Sequence, residues 1–148
     1  MITRRRSVSL RPVSSDDSEF LFRVFRLSHG AELDEQLCRL QFQARDNQYR
    51  TQYPSADYDV IMDGNEAIGY VYALRGPDAF ALVDIALLPE SQGTGIGSQL
   101  VGELIELAHA VKKPLRAHVL KHSPAWRLWQ RLGFRQVSDD GIYLGIEI

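Results

Sequence analysis

Residues 90–100 read Glu90-Ser91-Gln92-Gly93-Thr94-Gly95-Ile96-Gly97-Ser98-Gln99-Leu100, with a glycine at every second position from Gly93 to Gly97. An apolar run, Phe80–Leu88, comes before this stretch and stops at Pro89. An amphipathic run follows, with Leu100, Val101, Leu104, Ile105 and Ala108 at helical spacing. The order is strand, glycine loop, helix. A helix start leaves its first N–H groups without intrahelical acceptors, at the positive end of the dipole. Glycines let the backbone turn those N–H groups inward and let an anion approach without meeting a Cβ. A single glycine would be ordinary turn geometry, but alternate glycines ahead of a helix read as a phosphate cradle. A Walker loop fits poorly, because no Lys follows the glycines. A dinucleotide fingerprint counted from Gly93 needs a third glycine where Ser98 stands, and the preceding strands form a meander rather than the opening of a βαβ unit.

Working outward, Ser7–Val13 alternates as a strand. Ser14, Ser15, Asp16 and Asp17 offer helix caps, with Glu19 three residues after Asp16 as in a capping box. Phe20, Leu21, Val24 and Phe25 then stripe a helix ending near His29–Gly30. A second helix fits Asp34 to about Arg50, with Leu37, Leu40 and Ala44 as its common face. Tyr58–Met62 and Ala67–Leu74 flank Asp63-Gly64 as a hairpin. Phe80–Leu88 is apolar enough to be a strand buried on both faces. A helix over about Gly97–Val111 leads to a short strand, Leu115–Leu120. Ser123 and Pro124 open another helix, which Gly133 stops. Phe134–Val137 and Ile142–Ile148 are the last strands. The expectation is a single α/β domain over 1–148 with a mixed sheet.

The chain has 148 residues, an ordinary apolar fraction of 45%, and a formal net charge of −2, which argues against a nucleic-acid partner. Cys38 is the lone cysteine, so a thiolate metal cluster is excluded, no metal is expected, and Cys38 reads as a packed apolar residue. No apolar run approaches the length of a membrane span, and Arg4-Arg5-Arg6 leads into no apolar leader segment. A cytoplasmic protein with a solvated basic terminus is the resulting expectation.

Gln92-Gly93-Thr94-Gly95-Ile96-Gly97 matches in full the Q/R-x-x-G-x-G/A pyrophosphate motif, and the chain resembles the GCN5-related N-acetyltransferase (GNAT) family. That family's next motif, N-x-x-A-x-x-x-Y-x-x-x-G-F, falls on His122 to Phe134; Ala125, Gly133 and Phe134 match, while His122 replaces the Asn and Trp129 the Tyr. The order of elements is similar along essentially the whole chain. The resemblance implies a mostly antiparallel sheet with a central splayed strand pair and helices on both faces. It implies acetyl-CoA, or another acyl-CoA, as co-substrate. It places the pyrophosphate on Gln92, Gly93, Thr94, Gly95, Ile96, Gly97 and Ser98. It sets the pantetheine arm along Ala86 and Leu87, flanked by His122, Ala125 and Trp129, with Arg127 or Arg131 near the phosphates, and it makes the Ile85 N–H the oxyanion donor. A homodimer is common in the family.

The resemblance further implies direct transfer of the acyl group to an amine. A general base must then take a proton from the substrate ammonium. Counting back from Leu87 by twos gives Ile85, Val83 and Ala81, none ionisable. Asp84 is the only acid in that strand, and alternation points it to the opposite face. It is a candidate base if a bulge turns it inward, and otherwise a buried carboxylate that is paired with an Arg or caps a nearby backbone. His118 and His122 are further candidates. Trp129 cannot supply the thiolate with a proton. Thiols titrate near 8.5, so the thiolate can leave unassisted at some cost in rate. In the family the first two helices wall the acceptor. Gln41–Tyr49 (QFQARDNQY) reads first as an ordinary amphipathic helix with a polar outer face, and as an acceptor wall it suits a polar small-molecule amine better than a polyanion. The acceptor is expected to be a small-molecule or peptide amine. The rivals are a CoA-binding or CoA-sensing protein of the same fold without turnover, and a binder of some other phosphate.

Overall fold

The computed structural model describes residues 7–29, 32 and 34–148. The Arg4–Arg6 run and Gly30 lie outside them. The elements are β1 (Val8–Pro12), α1 (Ser18–His29), α2 (Glu35–Gln52), β2 (Asp57–Asp63), β3 (Glu66–Arg75), β4 (Phe80–Leu87), α3 (Ile96–Ala110), β5 (Leu115–Leu120), α4 (Ala125–Arg131), β6 (Arg135–Asp139) and β7 (Tyr143–Glu147). Seven strands form one sheet in the order β1-β2-β3-β4-β5-β7-β6. The β1–β2, β5–β7 and β6–β7 pairs are antiparallel and β4–β5 is parallel. The parallel register runs from Phe80↔Leu115 to Leu82↔Ala117, whereas β4 continues to Leu87. Contacts group the chain into two units, Met1–Tyr72 with Asp84–Ile96, and Ala73–Val83 with Gly97–Ile148.

In the first unit, Leu21 and Val24 of α1 bury against Tyr70, Ala86 and Leu88. Phe22 and Phe25 pack on Cys38 of α2. Two sequence expectations are corrected here. The face of α2 that packs is not Leu37, Leu40 and Ala44, all of which are exposed, Leu40 at 58%. It is the stripe Cys38, Phe42, Arg45 and Tyr49. Cys38 has no exposed surface, as its reading as a packed residue anticipates. Phe42 lies 5.3 Å from Phe25, and Tyr49 lies 5.5 Å from Tyr72. Large rings remove more apolar area than the leucines would, so they set the rotation of the helix.

The second correction concerns the approach to α1, where the capping box is Ser14 with Asp17, on the turn ahead of the helix, rather than Asp16 with Glu19. A 3-10 turn, Ser15–Asp17, precedes the helix. The Asp17 carboxylate accepts from the Ser14 N–H at 2.8 Å and from both terminal nitrogens of Arg11. These bonds hold the Asp17 carboxyl far below the usual carboxylate range, the Arg11 hydrogen bonds first among the causes. Glu19 instead pairs with Arg39 at 3.0 Å.

β4 is also less uniformly buried than its composition suggests. Phe80, Leu82 and Ala86 are buried, while Ala81, Val83, Ile85 and Leu87 are half-buried. Asp84 shares its parity with the buried set, so plain alternation holds along the strand.

In the second unit, β5 alternates strictly, with Leu115, Ala117 and Val119 buried and Arg116, His118 and Leu120 exposed. The Ser123 Oγ accepts from the Ala125 N–H at 3.2 Å, but α4 begins at Ala125, so Pro124 takes the cap position rather than the first helical one expected of it.

Candidate functional site

The glycine loop begins where β4 ends. A 3-10 turn, Pro89–Ser91, takes the chain out of the sheet. The Ser91 N–H donates to the Leu88 carbonyl at 2.9 Å, and the Thr94 hydroxyl donates to the Ser91 carbonyl at 2.6 Å. The loop is thus pinned from below. Gly93 and Gly95 adopt φ of 70° and 85°, left-handed conformations that side-chain-bearing residues adopt only at a cost. A Cβ built on Gly93, Gly95 or Gly97 would meet nothing within 4 Å. The demand for glycine is therefore conformational, and the space beside the loop is open. Among the described residues, none accepts from the N–H groups of Gly93, Thr94 or Gly95. The N–H groups of the first turn of α3, which include Ile96, Gly97 and Ser98, have no intrahelical acceptor. Open space over a row of free donors at a helix mouth fits a phosphate group.

The other expected residues of the first unit lie on β4 and its border with the loop. Gln92 points back: its Nε2 donates to the Leu87 carbonyl at 3.0 Å. Ser28 of α1 donates to the same carbonyl at 3.3 Å. Meanwhile the Leu88 N–H goes to the Ile68 carbonyl of β3 at 2.8 Å. Backbone groups alternate along a strand. Those of Ala86 therefore turn toward β3, so Ala86 does not face the open edge on which the family resemblance sets the pantetheine arm, and those of Ile85 and Leu87 turn away from it. The Ile85 N–H stands on the edge that faces away from β3.

Asp84 forms an ion pair with Arg45 of α2. Both side chains are mostly buried, at 16% and 19% exposure. Arg45 also donates to the Tyr70 hydroxyl at 2.9 Å. Its guanidinium carbon lies 4.9 Å from the Phe25 ring, 5.0 Å from Tyr49 and 5.5 Å from Tyr70, all within cation–π range. Burial pushes the Tyr70 and Tyr58 phenols up, so both stay neutral beside the cation. The negative partner of the guanidinium is Asp84.

In the second unit, His122 is exposed ahead of α4, and Ala125 and Trp129 are half-buried on it. The Trp129 ring meets Phe134 edge-on at 6.2 Å. Arg127 and Arg131 are exposed on the same helix, and His118 is exposed on β5. Among the described residues, no three His, Cys, Asp or Glu side chains gather as a metal site, and no helix is long and apolar enough to cross a membrane.

Three residues at this site were not singled out from the sequence. Arg45 sits on the packed stripe of α2, and a charged residue in register with Cys38 and Phe42 was its signal. Ser28, near the end of α1, carries no signal in the sequence. Gly69 lies so close to β4 that a Cβ there would come within 2.2 Å of the Ala86 carbonyl oxygen. A glycine inside an apolar strand is a recognised sign of such an approach.

Comparison with known proteins bears on this geometry. The sequence model described as the Acetyltransferase (GNAT) family matches residues 21–134. A [ribosomal protein bS18]-alanine N-acetyltransferase of Haemophilus influenzae is 32% identical over 79 residues. That match covers 53% of this chain and 54% of the relative, so the chain spans about half the length of the curated relative it matches. The crystal structure of the PaiA N-acetyltransferase of Thermoplasma acidophilum in complex with coenzyme A superposes with a TM-score of 0.74 at 19% identity, covering 95% of this chain and 98% of that one. An acetyltransferase of Thermus thermophilus superposes with a TM-score of 0.68 at 26% identity, covering 95% and 94%.

Proposed function

The chain belongs to the acetyltransferase (GNAT) family, and from that premise we propose that it moves the acetyl group of acetyl-CoA directly to a primary amine in the cytoplasm. The observation that carries the reading is the loop before α3, with glycines at φ of 70° and 85°, unpaired N–H groups and open space above them. These residues suit the pyrophosphate of CoA, which supplies the activated thioester when bound. Gly93, Thr94, Gly95, Ile96, Gly97 and Ser98 present donors to the phosphates, and Gln92 holds the loop to β4. Along the edge that faces away from β3, Ile85 offers its backbone groups and Leu87 its N–H, the Leu87 carbonyl being taken up by Gln92 and Ser28. The Ile85 N–H stabilises negative charge developing on the carbonyl oxygen. His122, Ala125 and Trp129 complete the cofactor set proposed from the family motif. The H. influenzae relative is named for an alanine of a ribosomal protein, which supports a peptide or small-molecule amine as acceptor.

Trp129 favours a second reading, a CoA-binding protein without turnover, because an indole N–H supplies no proton at neutral pH. Acetylation of an alanine-ended peptide above the blank hydrolysis of acetyl-CoA separates the two. The cradle itself is tested by calorimetric titration with acetyl-CoA, with ATP as control, on the wild type and on Gly95→Asp. The wild type should bind acetyl-CoA and not ATP. The variant should stay folded, at a strain cost of about 1–2 kcal/mol, and lose binding through its bulk and charge. Undiminished affinity in folded Gly95→Asp would remove the loop from the site.

A further inference from the structure

We propose that Arg45 and Asp84 are positioning residues: a buried ion pair that fixes the direction of the Ile85 N–H, not a base that takes the acceptor's proton. The proposal rests on the acetyl-CoA reading above. Its ground is the support available to β4. The register with β5 ends at the Leu82↔Ala117 pair. Beyond it no described residue of β5 is in register with β4, and within the first unit Ile85 has β3 beside it. A strand with one neighbour keeps its twist only as well as the groups on its face hold it. Asp84 is the residue immediately before Ile85, and its side chain is tied to Arg45.

Arg45 is itself held by several elements of the first unit. Tyr70 of β3 accepts its hydrogen bond at 2.9 Å. Phe25 of α1 and Tyr49 of α2 box its guanidinium with their ring faces. The pair thus joins both helices and β3 to one point on β4, next to the N–H in question. Gln92 and Ser28 fix the same strand at the Leu87 carbonyl, and Gly69 lets β3 close on it at Ala86. Ile85 lies between these ties.

A base at Asp84 is a poorer fit to the same facts. Asp84 shares its face with Ala86 and Leu88, which pack on α1. The Ile85 N–H lies along the strand edge. The Asp84 carboxylate is paired with a guanidinium and mostly buried, and an opposite charge beside a carboxylate favours its ionised form and so makes it a weaker base.

The test is the infrared carbonyl stretch of bound acetyl-CoA carrying 13C at the acetyl carbon, read beside the calorimetric affinity and the melting temperature of the unliganded protein. The variants are Asp84→Asn, Arg45→Gln, Arg45→Lys, and the paired Arg45→Met with Asp84→Leu. The paired variant replaces the whole ion pair by apolar side chains, a change that folds tolerate better than stranding one charge. It carries the test if the single variants unfold. In the wild type a directed N–H lowers the stretch relative to free acetyl-CoA. The proposal expects Asp84→Asn, Arg45→Gln and the paired variant to lose at least half of that shift. Affinity should change less than about threefold, because the pyrophosphate contacts are intact. Arg45→Lys should keep part of the shift. A folded paired variant with the full wild-type shift overturns the proposal, and so would a shift lost only in the Asp84 variants. If wild-type protein fails to bind acetyl-CoA, the cradle reading falls first, and a failure of the pair alone leaves that reading standing.

Discussion

The closest backbone approach at the site makes a demanding prediction, for Gly69→Ala. The added Cβ would lie 2.2 Å from the Ala86 carbonyl oxygen, 2.9 Å from Leu87 Cδ2 and 3.1 Å from Leu87 Cα. Ordinary carbon–oxygen contacts begin near 3.3 Å, so β3 and β4 must part by roughly 1 Å. The hydrogen bond from Leu88 N–H to the Ile68 carbonyl, now 2.8 Å, would stretch to about 3.8 Å, past bonding range. Losing it costs about 1 kcal/mol, and residual overpacking adds about 1–3 kcal/mol. The sum, about 2–4 kcal/mol, lowers the melting temperature of a chain this size by roughly 5–15 °C. Thermal unfolding followed by circular dichroism measures it. Gly102→Ala is the control: it lies within α3, where a Cβ meets nothing within 4 Å, and should stabilise by about 0.5–1 kcal/mol. A Gly69→Ala protein melting within about 1 °C of wild type would mean that the two strands do not approach as described.

The rotation of α2 predicts that Leu40→Gln changes stability by no more than about 0.5 kcal/mol, whereas Cys38→Ser costs about 1–3 kcal/mol by burying a hydroxyl; urea unfolding compares them. The Asp17 carboxyl lies below its unfolded value when folded, so its contribution is complete above the ordinary carboxylate value of about 4 and is lost as pH falls toward the folded one. Asp17→Asn should accordingly be less stable than wild type at pH 7, and the gap in urea midpoint should narrow only in acid. Trp129→Tyr should raise turnover of an alanine-ended peptide or leave it unchanged, because a phenol can protonate the departing thiolate where an indole cannot; a large loss would show that the indole itself packs a substrate.

What the sequence discloses is local. The glycine loop and the turn at Asp63-Gly64 each rest on neighbours within a few residues, and both stand where the residue pattern puts them. The misread features depend on choices between near-equal local options. Leu37, Leu40 and Ala44 make a plausible stripe on α2, but which side packs is decided by rings on α1 and β3 that the pattern of one helix does not contain. Asp16 and Glu19 have capping-box spacing, yet Asp17 wins the role because Arg11, on the preceding strand, adds two charged hydrogen bonds to it.

Asp84 shows both limits at once. Alternation along β4 turns it away from the substrate face, and a buried carboxylate needs a cation or backbone donors, so the residue pattern allows an Arg partner without requiring one. It does not say which Arg, because the answer lies in the rotation of α2, where the stripe that buries Cys38 and Phe42 also carries Arg45 inward. The same rotation brings Tyr49 and Phe25 round its guanidinium. One packing decision, made by aromatic area, thus determines both the core of the first unit and the charge that meets β4 beside Ile85. The proposed acyl site and the helix core should therefore not be separable by mutation. Cys38→Leu, at a position buried against Phe22 and Phe25, should reduce the infrared shift of bound acetyl-CoA as Arg45→Gln does, and a folded Cys38→Leu protein with the full shift would refute the link.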